Sequence, residues 1–183
     1  MGKVRRGGYV FVTWKGDHFP RHVHVYRDGA LMVKWDLDNR KPMVGKATRR
    51  AWRELGFFCG RDDATKEWRI VGSVKGLRKF ASEIRKYASN PANDRLSEYT
   101  QFGPAMNLEV GTSHQTEITE QWIGGPLVEL LRLAGLIERS VQDNVVGKRI
   151  ALRANFSPMA PYELVLDVRD ETFDPALADS TSC

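Results

Sequence analysis

The order of apolar and polar residues predicts three strands and a helix in the first part of the chain. Residues 9–14, 22–27 and 30–37 are rich in β-branched and aromatic side chains, which is typical of strands. The Asp28-Gly29 pair between the last two predicts a tight hairpin turn. Residues 47–55 have the pattern of a short helix with a basic face. The first module is therefore predicted to be β-β-β-α.

Beyond this module the same pattern predicts a second module of the order β-α-β-α-β-β. Its clearest element is an amphipathic helix in which Leu77, Phe80 and Ile84 recur three or four residues apart. Residues 56–65 and 91–105 have the Gly, Pro and polar content of loops. The predicted elements are strands at 67–74, 106–111, 149–155 and 162–169, and helices at 76–89 and 126–139, the latter after a helical stretch that begins at 117 and is interrupted at 124–126.

These elements assign the chain to the α+β class and divide it into three parts. Residues 1–58 form a basic module that contains the histidines, and residues 66–174 form a larger α+β module. Residues 175–183 form a tail that is predicted to be disordered. Because the link between the two modules is short, we expect them to share an interface.

Length and composition exclude several classes of protein. The chain has 183 residues and a formal net charge of +5. No apolar run reaches the roughly 18 residues that a membrane-spanning helix needs. The two cysteines, Cys59 and Cys183, do not make a disulfide framework. We therefore expect a cytoplasmic protein in a reducing compartment, with no membrane partner.

Positive charge is concentrated in the first third of the chain. Residues 1–60 carry 13 Lys or Arg against 5 Asp or Glu, whereas the remainder carries 15 against 18. A basic region beside a mildly acidic one suggests an anionic partner, either nucleic acid or an acidic protein. Alternatively, these side chains only solvate the surface. The sequence also leaves open whether copies of the chain form a homo-oligomer.

The most distinctive segment is residues 17–25, where His18, His22 and His24 form a His-x3-His-x-His pattern. Alternate side chains of a strand share a face, so the rings of His22 and His24 are expected to project together. Pro20 fixes the start of the strand. His18 lies in the preceding turn, from which it is able to fold back toward the pair.

The register of the hairpin decides what these rings face. A two-residue loop at the Asp-Gly turn would place His22 and His24 opposite the apolar residues Trp35 and Val33. A three-residue loop would place them on the polar face, with Met32 and Lys34. A shift of one residue moves every side chain to the other face of the sheet. We favour the three-residue loop, because it matches apolar residues across the hairpin.

Three interpretations of the histidines remain open. In the first, they bind a divalent metal ion. Neutral imidazole is the commonest nitrogen ligand of such ions, and three protein ligands leave one position free for catalysis. The candidate ligands are His18, His22, His24 and Asp17.

In the second interpretation, the histidines are the acid–base groups of a small nuclease, with His18, His22 and His24 as catalytic residues. Such an enzyme also needs cations that hold the phosphate backbone. The candidates for anion or nucleic-acid binding are Arg21, Lys46, Arg49, Arg50 and Arg53. In the third interpretation, the rings only pack and form hydrogen bonds at a sheet edge or a protein interface.

The run Asp17-His18-Phe19-Pro20-Arg21-His22-Val23-His24-Val25, with Val44-Gly45-Lys46 and Arg49-Arg50-Ala51 after it, resembles a bacterial family of small β-rich proteins labelled domain of unknown function 4160. The likeness covers about residues 7–58. Arg21 stands where the family usually has a second proline, and Ala47 where it more often has leucine. Members of the family are suspected toxin–antitoxin components and are often encoded beside another small protein.

The resemblance implies a component of a bacterial toxin–antitoxin or phage-defence system that acts by binding a macromolecule, either a partner protein or nucleic acid. The small nuclease described above, with or without a metal ion, is the alternative function. The surface around the histidines distinguishes the two. A cleft with converging imidazoles and arginines favours catalysis, and a flat apolar rim favours partner binding.

Overall fold

The computed structural model describes residues 2–13, 21–38, 40–43, 46–95, 99–103, 108–142 and 146–178. Within these ranges the chain forms helices and three sheets, so the predicted α+β class is confirmed. The helices are α1 (Lys46–Leu55), α2 (Val74–Ala88), α3 (Leu127–Ser140) and α4 (Arg153–Phe156). The strands are β1 (Gly2–Arg6), β2 (Tyr9–Thr13), β3 (His22–Arg27), β4 (Ala30–Asp36), β5 (Lys41–Met43), β6 (Phe58–Asp62), β7 (Glu67–Ser73), β8 (Tyr99–Phe102), β9 (Leu108–Thr112), β10 (Glu117–Ile118), β11 (Trp122–Gly125), β12 (Arg149–Ala151) and β13 (Glu163–Arg169).

The N-terminal sheet is an antiparallel meander in which β1 to β5 lie side by side in chain order. Its loop between β3 and β4 differs from the predicted one. Arg27 pairs with Ala30, so the loop has two residues rather than three. Both loop residues adopt positive φ, 49° at Asp28 and 80° at Gly29, as a type I′ hairpin turn requires. The turn preference of the Asp-Gly pair therefore outweighs the apolar matching on which the three-residue prediction rested.

A β-bulge then shifts the ladder by one residue. Tyr26 pairs with Leu31, whereas Val25 pairs with Val33, so Met32 is the extra residue of β4. The bulge brings the valines of β3 opposite apolar residues even though the loop is short. The apolar residues of β3 and β4 are therefore paired with each other through a β-bulge, which neither predicted register contained.

The second sheet has the order β12-β13-β7-β6, and its two middle strands, β13 and β7, run parallel. One face is apolar and packs against α2, and α3 packs on α2 and on β11. The third sheet has the order β10-β11-β9-β8 and contributes to the same core. The fully buried members of this core include Trp68, Ile70, Leu77, Phe80, Ile84, Leu108, Ile123, Leu130, Leu133, Leu164 and Leu166.

Helix α2 shows how the sequence positions these layers. Its apolar residues recur at helical spacing, as predicted, and they form its buried face. Ser73 caps its N-terminus, because the hydroxyl accepts a hydrogen bond of 3.3 Å from the N–H of Gly76. The helix ends before Asn90-Pro91, where the residue before proline avoids the helical region.

Several strands lie where loops or a helix were predicted. β6 lies inside the predicted loop 56–65, and β8 lies inside the predicted loop 91–105. β10 and β11 lie in the stretch from 117 that was predicted to be helical. All four are short, and each is held by a ladder to a neighbouring strand. Their conformation depends on that pairing, which local pattern does not report.

Part of the predicted disordered tail is packed. Residues Pro175–Leu177 form a 3₁₀ turn, in which Asp174 accepts a hydrogen bond of 3.0 Å from the N–H of Ala176. Ala176 is buried and belongs to the main core. The prediction of disorder is thus wrong for 175–178, and residues 179–183 lie outside the described part of the chain. Among the described helices, none combines the length and the apolar character that a bilayer crossing requires.

Candidate functional site

The rings of His22 and His24 lie side by side on one face of β3, as the alternation predicts. Their Nε2 atoms are 3.0 Å apart, and the ring centroids are 5.0 Å apart with the planes 29° from parallel. A hydrogen bond at this distance needs a proton on one Nε2 and a lone pair on the other. The two imidazoles are therefore in direct contact.

Tyr26 extends this pair along the same strand. Its ring lies 6.4 Å from that of His24, with the planes 19° apart. Two imidazoles and a phenol thus follow one another on what we call the histidine face of the N-terminal sheet.

Basic side chains flank these rings on the neighbouring strands. One row of ladder partners crosses the sheet from β1 to β4, and its members are, in order, Lys3, Val12, His24 and Lys34. Partners in a ladder share a face of the sheet. In the next row, Arg5 pairs with Val10, which pairs with Tyr26. Lys3 and Arg5 are exposed, whereas Lys34, His24 and Tyr26 are half-buried. The histidine face therefore combines rings with cations.

Burial separates the two histidines. His22 is 3% exposed, and its partner across the ladder, Asp36, is 4% exposed. Asp36 also accepts a hydrogen bond of 2.9 Å from the N–H of Asp38 just beyond the strand. A ligand is able to reach the half-buried ring of His24 but not the buried ring of His22.

The opposite face of the N-terminal sheet is directed toward the rest of the chain. Tyr9 lies on that face and donates a hydrogen bond of 3.4 Å to Gln101 of β8. The same hydroxyl accepts a hydrogen bond of 3.1 Å from Arg27, whose guanidinium lies 5.3 Å from the centre of the Tyr9 ring. The contact of this sheet with β8 is thus made by the face opposite the histidines, although Val12, His22 and Asp36 on the histidine face are buried as well.

Three of the arginines predicted to bind an anion are paired with carboxylates. Arg21 forms a two-pronged contact with Asp38, with nitrogen–oxygen distances of 2.9 and 2.7 Å. This contact closes the open end of the β3–β4 hairpin, where Leu37 also donates to the carbonyl of Arg21. The hydrogen bond and the charge of Asp38 raise the pKa of Arg21, so it stays charged.

The arginines of α1 point to other partners. Arg50 contacts Glu54 at 2.6 Å on the same helix, and Arg53 contacts Asp174 at 2.6 Å near the far end of the chain. The hydrogen bond from Arg53 is the main reason why the pKa of Asp174 is lowered. Arg49 is exposed on α1 and adds a smaller electrostatic effect on Asp174. The contacts of α1 thus lead toward the C-terminal turn rather than to the histidines.

The remaining predicted site residues cannot be placed. His18 and Asp17 lie outside the described residues, and so does the side chain of Lys46, the first residue of α1. Within the described ranges, no three His, Cys, Asp or Glu side chains come together as a metal site would require. The imidazole pair offers two nitrogens, so the predicted metal site depends on ligands from residues that the structure does not describe.

Lys3 and Arg5 were missed as candidate residues. Both lie on β1, which carries three basic residues in five and has too few apolar positions to show a strand pattern. The Gly7-Gly8 pair between two short runs is the signal that would have indicated a hairpin, since both glycines adopt positive φ.

Comparisons with known proteins do not assign the chain to a class: no protein-family model, no curated protein and no solved structure matches it.

Proposed function

We propose that this protein binds single-stranded nucleic acid through the histidine face of its N-terminal sheet. The observation that carries the proposal is the pair of half-buried rings of His24 and Tyr26, with His22 buried beside them and with Lys3, Arg5 and Lys34 on the same face. Rings on a flat sheet accept stacked bases, and neighbouring cations follow the phosphate backbone. Such binding needs no sequence-specific contact and weakens with salt.

The geometry supports binding better than the alternative, a small nuclease. Two catalytic imidazoles have to reach a phosphate from different sides, but here one ring is buried and the two Nε2 atoms contact each other. Nuclease activity, with or without a divalent metal, is therefore the second candidate.

The setting that we propose is a bacterial toxin–antitoxin or phage-defence system in the cytoplasm. This part of the proposal rests on the resemblance of residues 7–58 to domain of unknown function 4160. Within such a system the nucleic acid is either the target of the protein or the site at which the protein regulates synthesis of the system's components. A partner protein is the other macromolecule to test.

Adjacent arginines on β1 provide a matched test of the proposed surface. Arg5 lies on the histidine face, whereas Arg6 pairs with Tyr9 and lies on the opposite face. Both are exposed, and both substitutions to glutamate change the net charge equally. We expect R5E to weaken binding of a 15-nucleotide single-stranded RNA about tenfold or more and to reduce the salt dependence, because a phosphate contact is lost. We expect R6E to stay within about twofold of the wild type.

Fluorescence anisotropy at several salt concentrations measures the RNA-binding affinity of each variant and the dependence of that affinity on salt. Equal effects of R5E and R6E would show that only net charge matters, and the proposed surface would be wrong. A wild-type chain that binds no RNA or DNA but captures a protein partner would favour the protein alternative. RNA cleavage that disappears in His24→Ala would favour the nuclease.

A further inference from the structure

A groove of about 680 Å³ lies on the face of the second sheet that is turned away from α2 and α3. Its floor is made by alternate residues of β6 and β7, whereas the residues between them face the main core. The chain after β13 forms its wall, from Phe173 to Ala178. The volume is within the range of small-molecule sites in proteins.

Two arginines in this groove share one buried carboxylate. Arg69 of β7 and Arg169 of β13 both contact Oδ2 of Asp167, at 2.9 and 3.0 Å. Asp167 is 4% exposed, whereas the two arginine side chains are 41% and 49% exposed. The group of three therefore keeps one positive charge and several free N–H donors at the groove.

The other carboxylates that line the groove are already engaged. Asp63 is paired with Arg61 at 2.6 Å, and Asp174 is paired with Arg53 at 2.6 Å. Asp62 accepts hydrogen bonds from two backbone N–H groups of the following turn. Two of these three carboxylates are neutralised by arginines, whereas Asp62 keeps its negative charge in the same groove as the arginine pair.

Arg69 has a donor that no described residue satisfies. Its Nε atom is out of contact with solvent and has no hydrogen-bond partner within the described part of the chain. Buried polar groups of proteins almost always have a partner. The Nε atom and a terminal nitrogen of a guanidinium together form the fork that binds two oxygens of a carboxylate or phosphate, and Nε of Arg69 is the part of this fork that has no described partner.

Apolar side chains also line the groove. Phe58 and Phe173 line it, together with Val71 and Leu177. A Cβ atom at Gly60 would lie 2.7 Å from the ring of Phe58, so the glycine allows this ring to lie across the floor. An aromatic body would find ring surface here, close to the arginine pair.

We propose that this groove binds a small organic anion, with its phosphate or carboxylate group on Arg69 and Arg169 and an aromatic body against Phe58 and Phe173. This site is separate from the histidine face and does not depend on nucleic-acid binding there.

Isothermal titration of the full chain with three probes tests the site. Phenyl phosphate and benzoate represent the two sources of the anion, and benzamide has the shape of benzoate without the charge. We expect one or both anions to bind and benzamide to bind at least about tenfold more weakly. Arg169→Met keeps most of the length of the side chain and leaves Arg69 on Asp167, and we expect it to weaken anion binding about tenfold or more.

Arg85→Met is the matched control. Arg85 is 44% exposed and pairs with Glu138 on the helical side, away from the groove. We expect this variant to bind the anions as the wild type does, and far-ultraviolet circular dichroism reports that both variants are folded. The proposal is overturned if neither anion binds at millimolar concentration, if benzamide binds equally well, or if Arg169→Met and Arg85→Met have the same effect.

Discussion

Cys59 shows how a single residue ties stability to pH. Its side chain is fully buried on β6, and its Sγ atom lies 3.9 Å from the carbonyl oxygen of Phe102. Burial penalises the thiolate and raises the pKa of the Cys59 thiol far above its usual value. The group therefore behaves as a small apolar side chain with a weak donor, and not as a nucleophile.

The raised pKa predicts a loss of stability in alkaline solution. In the unfolded chain the thiol ionises above pH about 8.5, whereas in the folded protein it stays protonated, so ionisation favours the unfolded state. The contribution is complete below that pH and is lost as the pH rises toward the folded-state value. We expect the free energy of unfolding to fall less steeply between pH 8.5 and 10 in Cys59→Ala than in the wild type.

Urea denaturation at each pH measures this slope, and the comparison between variants removes the contribution of other groups. Thiol labelling of a Cys183→Ser variant gives an independent result. Cys59 should react only after the protein unfolds, and rapid labelling of the native protein would contradict the burial on which the prediction depends.

At the scale of elements, the end of α1 and the beginning of α2 touch through backbone. Gly56 follows α1 with φ of 82°, as the residue after a helix often does. A Cβ atom on Gly76, in the first turn of α2, would lie 2.1 Å from the carbonyl oxygen of Gly56. The two helices meet this closely because Gly76 carries no side chain.

Two Gly→Ala substitutions within helices should therefore have opposite effects. We expect Gly76→Ala to destabilise the protein by about 1–3 kcal/mol or more, because the backbone of Gly56 has to move. Gly135 lies inside α3, where its Cβ would meet only the end of the Arg139 side chain at 3.2 Å. Gly135→Ala should be neutral or stabilising by up to about 1 kcal/mol, because alanine favours helix. Urea denaturation compares them, and equal effects would contradict the close approach.

Elements with their own amphipathic pattern could be predicted from the sequence. The helix predicted at 126–139 is observed at Leu127–Ser140, and the strand predicted at 162–169 is observed at Glu163–Arg169. β6 could not be predicted, because Gly60 and its charged neighbours have the composition of a loop. It becomes a strand by pairing with β7, from Phe58 opposite Val71 to Asp62 opposite Glu67.

The candidate site was predictable to the same extent. Alternation along β3 was enough to place the rings of His22 and His24 together. Their partners across the hairpin were not predictable, because the extra residue Met32 leaves no mark in the pattern of apolar positions. The cations of β1 reach the histidine face through a hairpin whose first strand has little apolar character.

At the scale of the whole molecule, an ion pair joins two distant segments. Arg53 of α1 contacts Asp174 at 2.6 Å, and Asp174 also caps the C-terminal 3₁₀ turn. Because the folded protein lowers the pKa of Asp174, the pair contributes stability above the unfolded value of about 3.9. That contribution is lost as the pH falls through the folded value. Arg53→Met should therefore lower the free energy of unfolding at pH 7, and this deficit should shrink as the pH falls below about 3.9, measured by urea denaturation. A deficit that persists at the lower pH would show that the arginine acts through packing instead.

The distribution of buried residues predicts two levels of stability within one chain. Among the described residues of the N-terminal sheet, the buried apolar side chains are Val12, Val25 and Val33, and none of them belongs to the main core. Trp52 of α1, which is 1% exposed, does belong to that core. Helix α1 is therefore expected to unfold with the C-terminal part, although it follows the N-terminal sheet in sequence.

Hydrogen exchange of the native protein separates these two levels. Opening of the N-terminal sheet exposes little apolar surface. Its amides should therefore exchange through openings of lower free energy than those of β7 and α2, and this free energy should depend less on denaturant concentration. Amides of α1 should exchange with the same opening free energy as those of the core. Trp52→Ala should lower the opening free energy of α1 and of the core by about 3–5 kcal/mol, and that of β3 by less. If β3 and β7 opened at one free energy, the sheet and the core would be a single cooperative unit. The histidine face would then be as rigid as the core, and a ligand bound there would stabilise the whole chain.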